Sequence, residues 1–127
     1  NGSVLLTLSR IQKRFMDEIL STLEKILEQR KSATADNSYV ASLYSQGTDK
    51  ILDKISEESA EVIKAAQDEG NDKIIHEVAD LWFHTLVLLR HKNISIKEIE
   101  TELTRRFGVS GHTEKATRHK SNEEKSS

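Results

Sequence analysis

Acidic side chains occur in two short clusters on either side of one glycine, Gly70. The first is Glu57-Glu58-Ser59-Ala60-Glu61, and the second is Glu77-Val78-Ala79-Asp80. The second cluster runs directly into an apolar segment, residues 81–89, so its acids lie at the start of the most hydrophobic helix we expect. A carboxylate removed from water costs on the order of several kcal/mol unless it becomes neutral or meets a cation. The pattern therefore predicts a divalent cation site.

Helical periodicity separates the acids of the first cluster. At about 100° per residue, Glu58 and Glu61 border the apolar stripe of their helix, and Glu57 points furthest from it. We therefore expect Glu58 and Glu61 to be ligands and Glu57 to lie outside the metal shell.

The second cluster shares one stripe with His84, which lies one turn after Asp80. Two antiparallel helices joined at Gly70 would bring Glu77 and Asp80 level with the first cluster. A packed core histidine is the plainer interpretation of His84; orienting a carboxylate or contacting substrate is the alternative.

All-carboxylate coordination suits a hard cation, Mg²⁺ with Mn²⁺ as the alternative, and such cations bind substrate phosphates. Neither cluster has the Glu-x-x-His pattern of di-iron helical bundles. The first cluster alone is also compatible with a solvated acidic helix face.

The basic residues and the tyrosines carry weaker signals. Solvated surface charge is the plainer interpretation for each cation, although Lys54 shares the arc of Glu57 and Glu61 and could meet a polyphosphate. We expect Tyr39 and Tyr44 to belong to the core rather than to stack on a base.

Composition limits the function classes. The chain has 127 residues, 35% of them hydrophobic and 31% charged, which favours one domain whose thin helices are completed by a partner subunit. A net charge of -2 gives no indication of duplex nucleic acid binding. With no cysteine, thiol catalysis and disulfides are excluded. The apolar run is far shorter than the roughly 20 residues that cross a bilayer, so no membrane partner and a cytoplasmic location are expected.

Apolar spacing predicts an all-α fold of four to five helices, because no segment alternates with the period of a strand. Helix one should run to about Lys31, and Asp36 or Asn37 should cap a short helix ending at Gly47. Thr48 should cap a long helix to about Glu69. The apolar helix should span about residues 72 to 91, and Ser95 should cap a last helix to about Phe107.

The chain resembles the MazG-like all-α nucleotide pyrophosphohydrolases through its Glu-Glu-x-x-Glu and Glu-x-x-Asp motifs. Within that superfamily it is most similar to the phosphoribosyl-ATP pyrophosphohydrolase family of histidine biosynthesis. The flanking matches include Glu28-Gln29-Arg30-Lys31, Ser38-Tyr39, Gly47, Lys50-Ile51, Lys54-Ile55, His84 and Arg105-Arg106. The resemblance covers about residues 16–107, which is the predicted domain. Residues 1–15 would be either an N-terminal extension or an extension of helix one, and residues 108–127 a polar, flexible tail.

The resemblance implies Mg²⁺-dependent hydrolysis of phosphoribosyl-ATP to phosphoribosyl-AMP and pyrophosphate by a homodimer or a higher assembly. It assigns the metal to Glu58, Glu61, Glu77 and Asp80, with Glu57 orienting the attacking water or acting as its base. Without cysteines, the zinc-binding cyclohydrolase domain fused to some members is not expected. The residues expected to contact substrate are Lys54, Lys50, Arg30, Lys31 and His84.

Two other functions are compatible with the motifs. One is a house-cleaning dNTP pyrophosphohydrolase with the same metal chemistry and another base pocket. The other is a non-catalytic helical dimerisation module whose acids are solvated.

Overall fold

A computed structural model describes residues 18–108, and this part of the chain is helical without any strand. The all-α prediction is therefore confirmed. The predictions for residues 1–15 and 109–127 lie outside the described range. The helices are α1 (Ile19–Gln29), α2 (Tyr39–Gln46), α3 (Thr48–Asp68), α4 (Asn71–His91) and α5 (Ile96–Phe107), with 3₁₀ turns at Arg30–Ser32 and Ala35–Asn37.

The antiparallel pair of α3 and α4 is the most extensive helix contact in the fold. A short turn joins them at Gly70, which has a φ of 96°, a backbone conformation that favours glycine. Ala65 is completely buried near this turn, and its small side chain lets the helices approach closely. The turn aligns the two acidic clusters across the pair, as the sequence predicts.

The helices α1 and α2 attach around this pair through a small apolar core. Its largest fully buried side chains are Leu27, Leu43, Ile51 and Val87, one from each of the first four helices. Polar contacts support the same region, since the Tyr44 hydroxyl donates to the Leu27 carbonyl oxygen at 2.9 Å. The fold is thus fixed around the second half of α4, away from the acids.

Arg90 connects α1 to the end of α4. Its guanidinium lies 3.1 Å from the Glu28 carboxylate and donates to the Ile94 carbonyl oxygen at 2.7 Å. Lys31 adds a second connection by donating to the Asn93 side-chain oxygen at 2.8 Å. These bonds hold the C-terminal end of α4.

Three predicted helix ends differ from the structure. The first helix ends at Gln29 and continues as a 3₁₀ turn. Ser38 caps α2, because residues 35–37 form a 3₁₀ turn and only Ser38 has the extended backbone that a cap requires; its hydroxyl accepts from the Ala41 amide. Thr48 is the first helical residue of α3, and the cap position belongs to Gly47, with a φ of 91°.

The last helix, α5, belongs to a separate compact unit that begins at Ser95. Ser95 caps this helix, as predicted, and a capping box forms, because Ser95 and Glu98 each accept a bond from the other's backbone amide. Glu102 accepts bonds from Arg105 and Arg106, which lower the pKa of its carboxyl group to about 2. None of the helices described here has the length and apolar character to span a membrane.

Candidate metal centre and active site

Three of the four predicted ligands meet between α3 and α4. Carboxylate oxygens of Glu58, Glu61 and Glu77 all lie within 4.8 Å of one another. Asp80 joins a second group with Glu77 and His76, whose ligand atoms also lie within 4.8 Å of one another. The two groups share Glu77, so the acids form one continuous cluster.

Two oxygens in this cluster are buried without a hydrogen-bond partner, Oε2 of Glu58 and Oε2 of Glu77. Glu77 is only 4% exposed and the Glu58 side chain 12% exposed. A carboxylate oxygen that is removed from water without a hydrogen-bond partner is unfavourable, because the hydration it loses is not replaced. A cation bound between the helices would satisfy both, so the donor set fits a divalent metal ion.

The pKa values of the acids reflect how close their charges are to one another. A hydrogen bond shared with Glu77, together with the negative charges of Glu77 and Glu58, raises the pKa of Glu61 to about 7. Burial and the charge of Asp80 raise the pKa of Glu58. The bond from Glu61 and the nearby ammonium of Lys73 lower the pKa of Glu77. Without a cation and below a pH of about 7, Glu61 is therefore protonated and shares its hydrogen bond with Glu77.

His84 is buried beside the cluster and has polar contacts on both ring nitrogens. Nε2 lies 2.8 Å from the Tyr39 hydroxyl, and Nδ1 lies 3.0 Å from the Asp80 carbonyl oxygen. Nδ1 is also 3.9 Å from Oε1 of Glu58. The His84 side chain thus lies between the two acidic helices. Tyr39, which was predicted to be a core residue, is instead 52% exposed.

Glu57 points to solvent, in the direction expected from the helical period. Its side chain is 57% exposed, and Lys54 donates to its Oε2 at 3.4 Å. Glu57 and Lys54 therefore lie at the open side of α3, one residue and one turn away from Glu58 respectively.

The remaining predicted substrate contacts are dispersed. Lys50 is half-buried on the first turn of α3. Lys31 bonds to Asn93, and the neighbouring Arg30 is exposed on the same 3₁₀ turn. Asn93 follows α4 at a distance of roughly 20 Å along the helix axis from Glu77. Within one chain the structure does not bring Lys31 or Arg30 to the acids.

Three residues near the acids were not singled out from the sequence. Lys64 and Lys73 line a cleft of about 280 Å³ beside the acids. His76 Nε2 lies 3.3 Å from Oδ2 of Asp80. The helical period contains the signal for two of them, because Lys73 and His76 precede Glu77 and Asp80 by one turn each. The residues lining the cleft are Glu61, Lys64, Glu69, Lys73 and Glu77.

Comparison with known proteins identifies the family. Residues 20–107 match the family described as phosphoribosyl-ATP pyrophosphohydrolase, and the chain belongs to this family. A phosphoribosyl-ATP pyrophosphatase of Vesicomyosocius okutanii is 70% identical over 104 residues, covering 82% of this chain and 99% of that protein.

More distant relatives have the same name. The phosphoribosyl-ATP pyrophosphatase of Hydrogenovibrio crunogenus is 53% identical over 108 residues, or 82% of this chain and 96% of that protein. The one from Neisseria meningitidis serogroup B is 47% identical over 105 residues, or 83% of this chain and 98% of that protein. The likeness therefore extends over nearly the whole length of these enzymes.

The raised pKa of Glu61 predicts a pH-dependent stability in the absence of metal. Folding raises this pKa from 4.5 to about 7, so the stabilisation is complete below pH 4.5 and is lost as the pH rises through 7. Glu61→Gln cannot ionise and escapes this loss. In EDTA, the melting temperature of Glu61→Gln minus that of the unsubstituted protein should increase as the pH rises from 5 to 8.

The outward Glu57→Gln serves as the matched control, and its difference from the unsubstituted protein should not follow this trend. A pH-independent difference for Glu61→Gln would contradict the shared proton.

Proposed function

We propose that this member of the phosphoribosyl-ATP pyrophosphohydrolase family hydrolyses phosphoribosyl-ATP to phosphoribosyl-AMP and pyrophosphate in histidine biosynthesis. The observation that carries the proposal is the pair of buried, unpartnered carboxylate oxygens of Glu58 and Glu77 between α3 and α4. Relatives that this chain matches over 96–99% of their length are named for this substrate. The reaction is assigned to the cytoplasm, where soluble nucleotides are available.

Mg²⁺ is the proposed cation, held by Glu58, Glu61, Glu77 and Asp80, and Mn²⁺ is the alternative. All four donors are carboxylates, the ligand type that hard cations prefer. A divalent cation at this position supplies charge neutralisation for the polyphosphate. It would also replace the proton that Glu61 donates to Glu77, so binding should release a proton.

Glu57 is the proposed base. It lies next to Glu58 but outside the buried cluster, so it is open to a water molecule. As the oxygen of this water bonds to phosphorus, its proton passes to Glu57, and the α–β anhydride bond breaks to release pyrophosphate. Lys54, which donates to the Glu57 carboxylate, would hold that side chain in position.

Cations on both sides of the acids are proposed to contact the phosphates. Lys54 flanks Glu57, and Lys73 lies 3.5 Å from Oε1 of Glu77. Lys64 faces the same cleft as Lys73. Such ammonium groups stabilise phosphate charge where it develops. Lys50 remains a weaker candidate, and Arg30 and Lys31 could contribute only from another subunit.

A homodimer is proposed to cover two exposed apolar stripes. Leu52 and Ile63 are 45% and 59% exposed and lie three turns apart on one face of α3. Ile75 and Trp82 are 67% and 59% exposed and lie two turns apart on α4. Large apolar side chains exposed on two neighbouring helices are the kind of surface that a partner covers. Nucleic acid and membrane partners are not part of the proposal.

Catalysis can be tested by following pyrophosphate release from phosphoribosyl-ATP with Mg²⁺. Glu77→Gln should lower kcat/KM by about 100-fold or more, because it removes the charge shared by both ligand groups. Glu100→Gln, an exposed acid on α5, should leave kcat/KM unchanged. A clear preference for any dNTP would instead identify a house-cleaning enzyme, and no turnover of either class would favour the non-catalytic module.

The phosphate contacts can be tested with single lysine variants. Lys54→Gln and Lys73→Gln should each lower kcat/KM by about tenfold, the loss of one charge-assisted bond. Exposed Lys97→Gln on α5 is the control. Lys31→Gln should reduce stability by breaking its bond to Asn93. If Lys31→Gln lowered kcat/KM at unchanged stability while Lys54→Gln did not, the phosphate assignment would be wrong.

The dimer can be tested by sedimentation velocity. Trp82→Glu should convert the dimer to a monomer, because it places a charge in the apolar contact. Ile19→Glu changes a side chain of similar exposure on α1 and should not affect association. Circular dichroism would check that both variants are folded. A dimer that survives Trp82→Glu would exclude this face as the interface.

A further inference from the structure

Tyr39 and His84 are joined by a hydrogen bond that links the start of α2 to the acidic helices. The hydroxyl and Nε2 are 2.8 Å apart, although the residues are 45 positions apart in the chain. His84 is 6% exposed, whereas the Tyr39 side chain is about half exposed. The two rings also meet edge to face, with their centroids 5.9 Å apart, so both the hydroxyl and the ring of Tyr39 contact His84.

The contact that Nδ1 of His84 makes shows which atom donates the hydrogen bond between Tyr39 and Nε2. Nδ1 lies 3.0 Å from the Asp80 carbonyl oxygen, and a carbonyl oxygen only accepts hydrogen bonds. Nδ1 must therefore carry the proton. In the neutral ring Nε2 is then an acceptor, and the Tyr39 hydroxyl donates to it.

The same nitrogen also lies near the acidic cluster. Nδ1 is 3.9 Å from Oε1 of Glu58, which is longer than a hydrogen bond and leaves the electrostatic attraction of the N–H dipole, while Oε2 of Glu58 has no hydrogen-bond partner. If the ring turned over, Nδ1 would leave both neighbours. The Tyr39 bond opposes that rotation, because a turned ring would no longer place Nε2 opposite the hydroxyl.

We propose that Tyr39 is a positioning residue that acts through His84 to hold the Glu58 carboxylate in its metal-binding orientation. This inference rests on the proposed metal site. Ser38 contributes by capping α2 and fixing the backbone from which Tyr39 extends. A hydrogen bond on the second nitrogen of a histidine commonly sets its tautomer and orientation near a metal.

The test measures Mn²⁺ binding to the full chain without substrate at pH 8, by the EPR signal of the free ion. Tyr39→Phe removes only the hydroxyl and should raise the Kd for Mn²⁺ by about tenfold. Tyr44→Phe is the matched control on the same helix, because its hydroxyl donates to the Leu27 carbonyl far from the acids. It should lower the melting temperature to a similar extent and leave the Kd unchanged.

A double-mutant cycle separates positioning from general loosening. His84→Asn keeps a nitrogen donor near the position of Nδ1 and removes Nε2, so adding Tyr39→Phe should not weaken Mn²⁺ binding further. Additive losses would overturn the inference, as would a Kd for Tyr39→Phe within twofold of the unsubstituted protein. An equal effect of Tyr44→Phe would also overturn it. If the unsubstituted protein bound no Mn²⁺, the proposed metal site itself would fail.

Discussion

The burial of several carboxylates between two antiparallel helices is the constraint on which this structure depends. Glu58 and Glu77 face each other across α3 and α4 with one oxygen each left without a partner. Glu61 relieves part of the repulsion by keeping a proton up to a pH of about 7, its pKa in the folded protein. A proton is an incomplete substitute for a cation, because it joins one pair of carboxylates and leaves the others uncompensated. A divalent ion at the proposed metal site would compensate these charges more completely than a proton does.

Such a site has to be held open by interactions made elsewhere in the fold. The apolar core, with Leu27, Leu43 and Val87, lies toward the second half of α4. Arg90 connects the C-terminal end of α4 to α1, and Lys31 connects it to the 3₁₀ turn that follows α1. These contacts fix the register of α4 against its neighbours. The first half of α4 can then carry Glu77 and Asp80 at positions that an isolated helix pair would separate by repulsion. The apolar core and the proposed site thus occupy different halves of one helix, an arrangement that lets the core compensate for a destabilising cluster of acids.

The sequence was informative about the orientation of side chains that depends on one helix alone. The period of 3.6 residues predicts that Glu58 and Glu61 turn inward and that Glu57 turns outward. In the structure Glu58 is largely buried and Glu57 is exposed, whereas Glu61, although its carboxylate lies within 4.8 Å of Glu58 and Glu77, is itself exposed. The same reasoning says nothing about partners from another helix. The hydrogen bond between Tyr39 and His84 joins residues 45 positions apart, and neither residue type predicts that the other is its partner. The cap at Ser38 was missed for a similar reason. Asp36 and Asn37 are equally good capping residues by type, and only the 3₁₀ turn over residues 35–37 removes them from the extended conformation that a cap needs.

The proposed site is open to solvent in a single chain. Glu57 and Glu61 are exposed at the site, and the cleft lined by Lys64 and Lys73 opens to solvent. Electrostatic stabilisation of phosphoryl transfer is strongest where bulk water is excluded, since a high dielectric weakens each contact. The exposed apolar stripes belong to α3 and α4, the same helices that carry the acids. By the helical period, the stripes lie on the faces of α3 and α4 turned away from the acids, so a second subunit packed on them would support the helix pair without covering the acids. The proposed dimer and the proposed catalysis thus use opposite faces of one helix pair, and the dimer would contribute by holding the two acidic helices together.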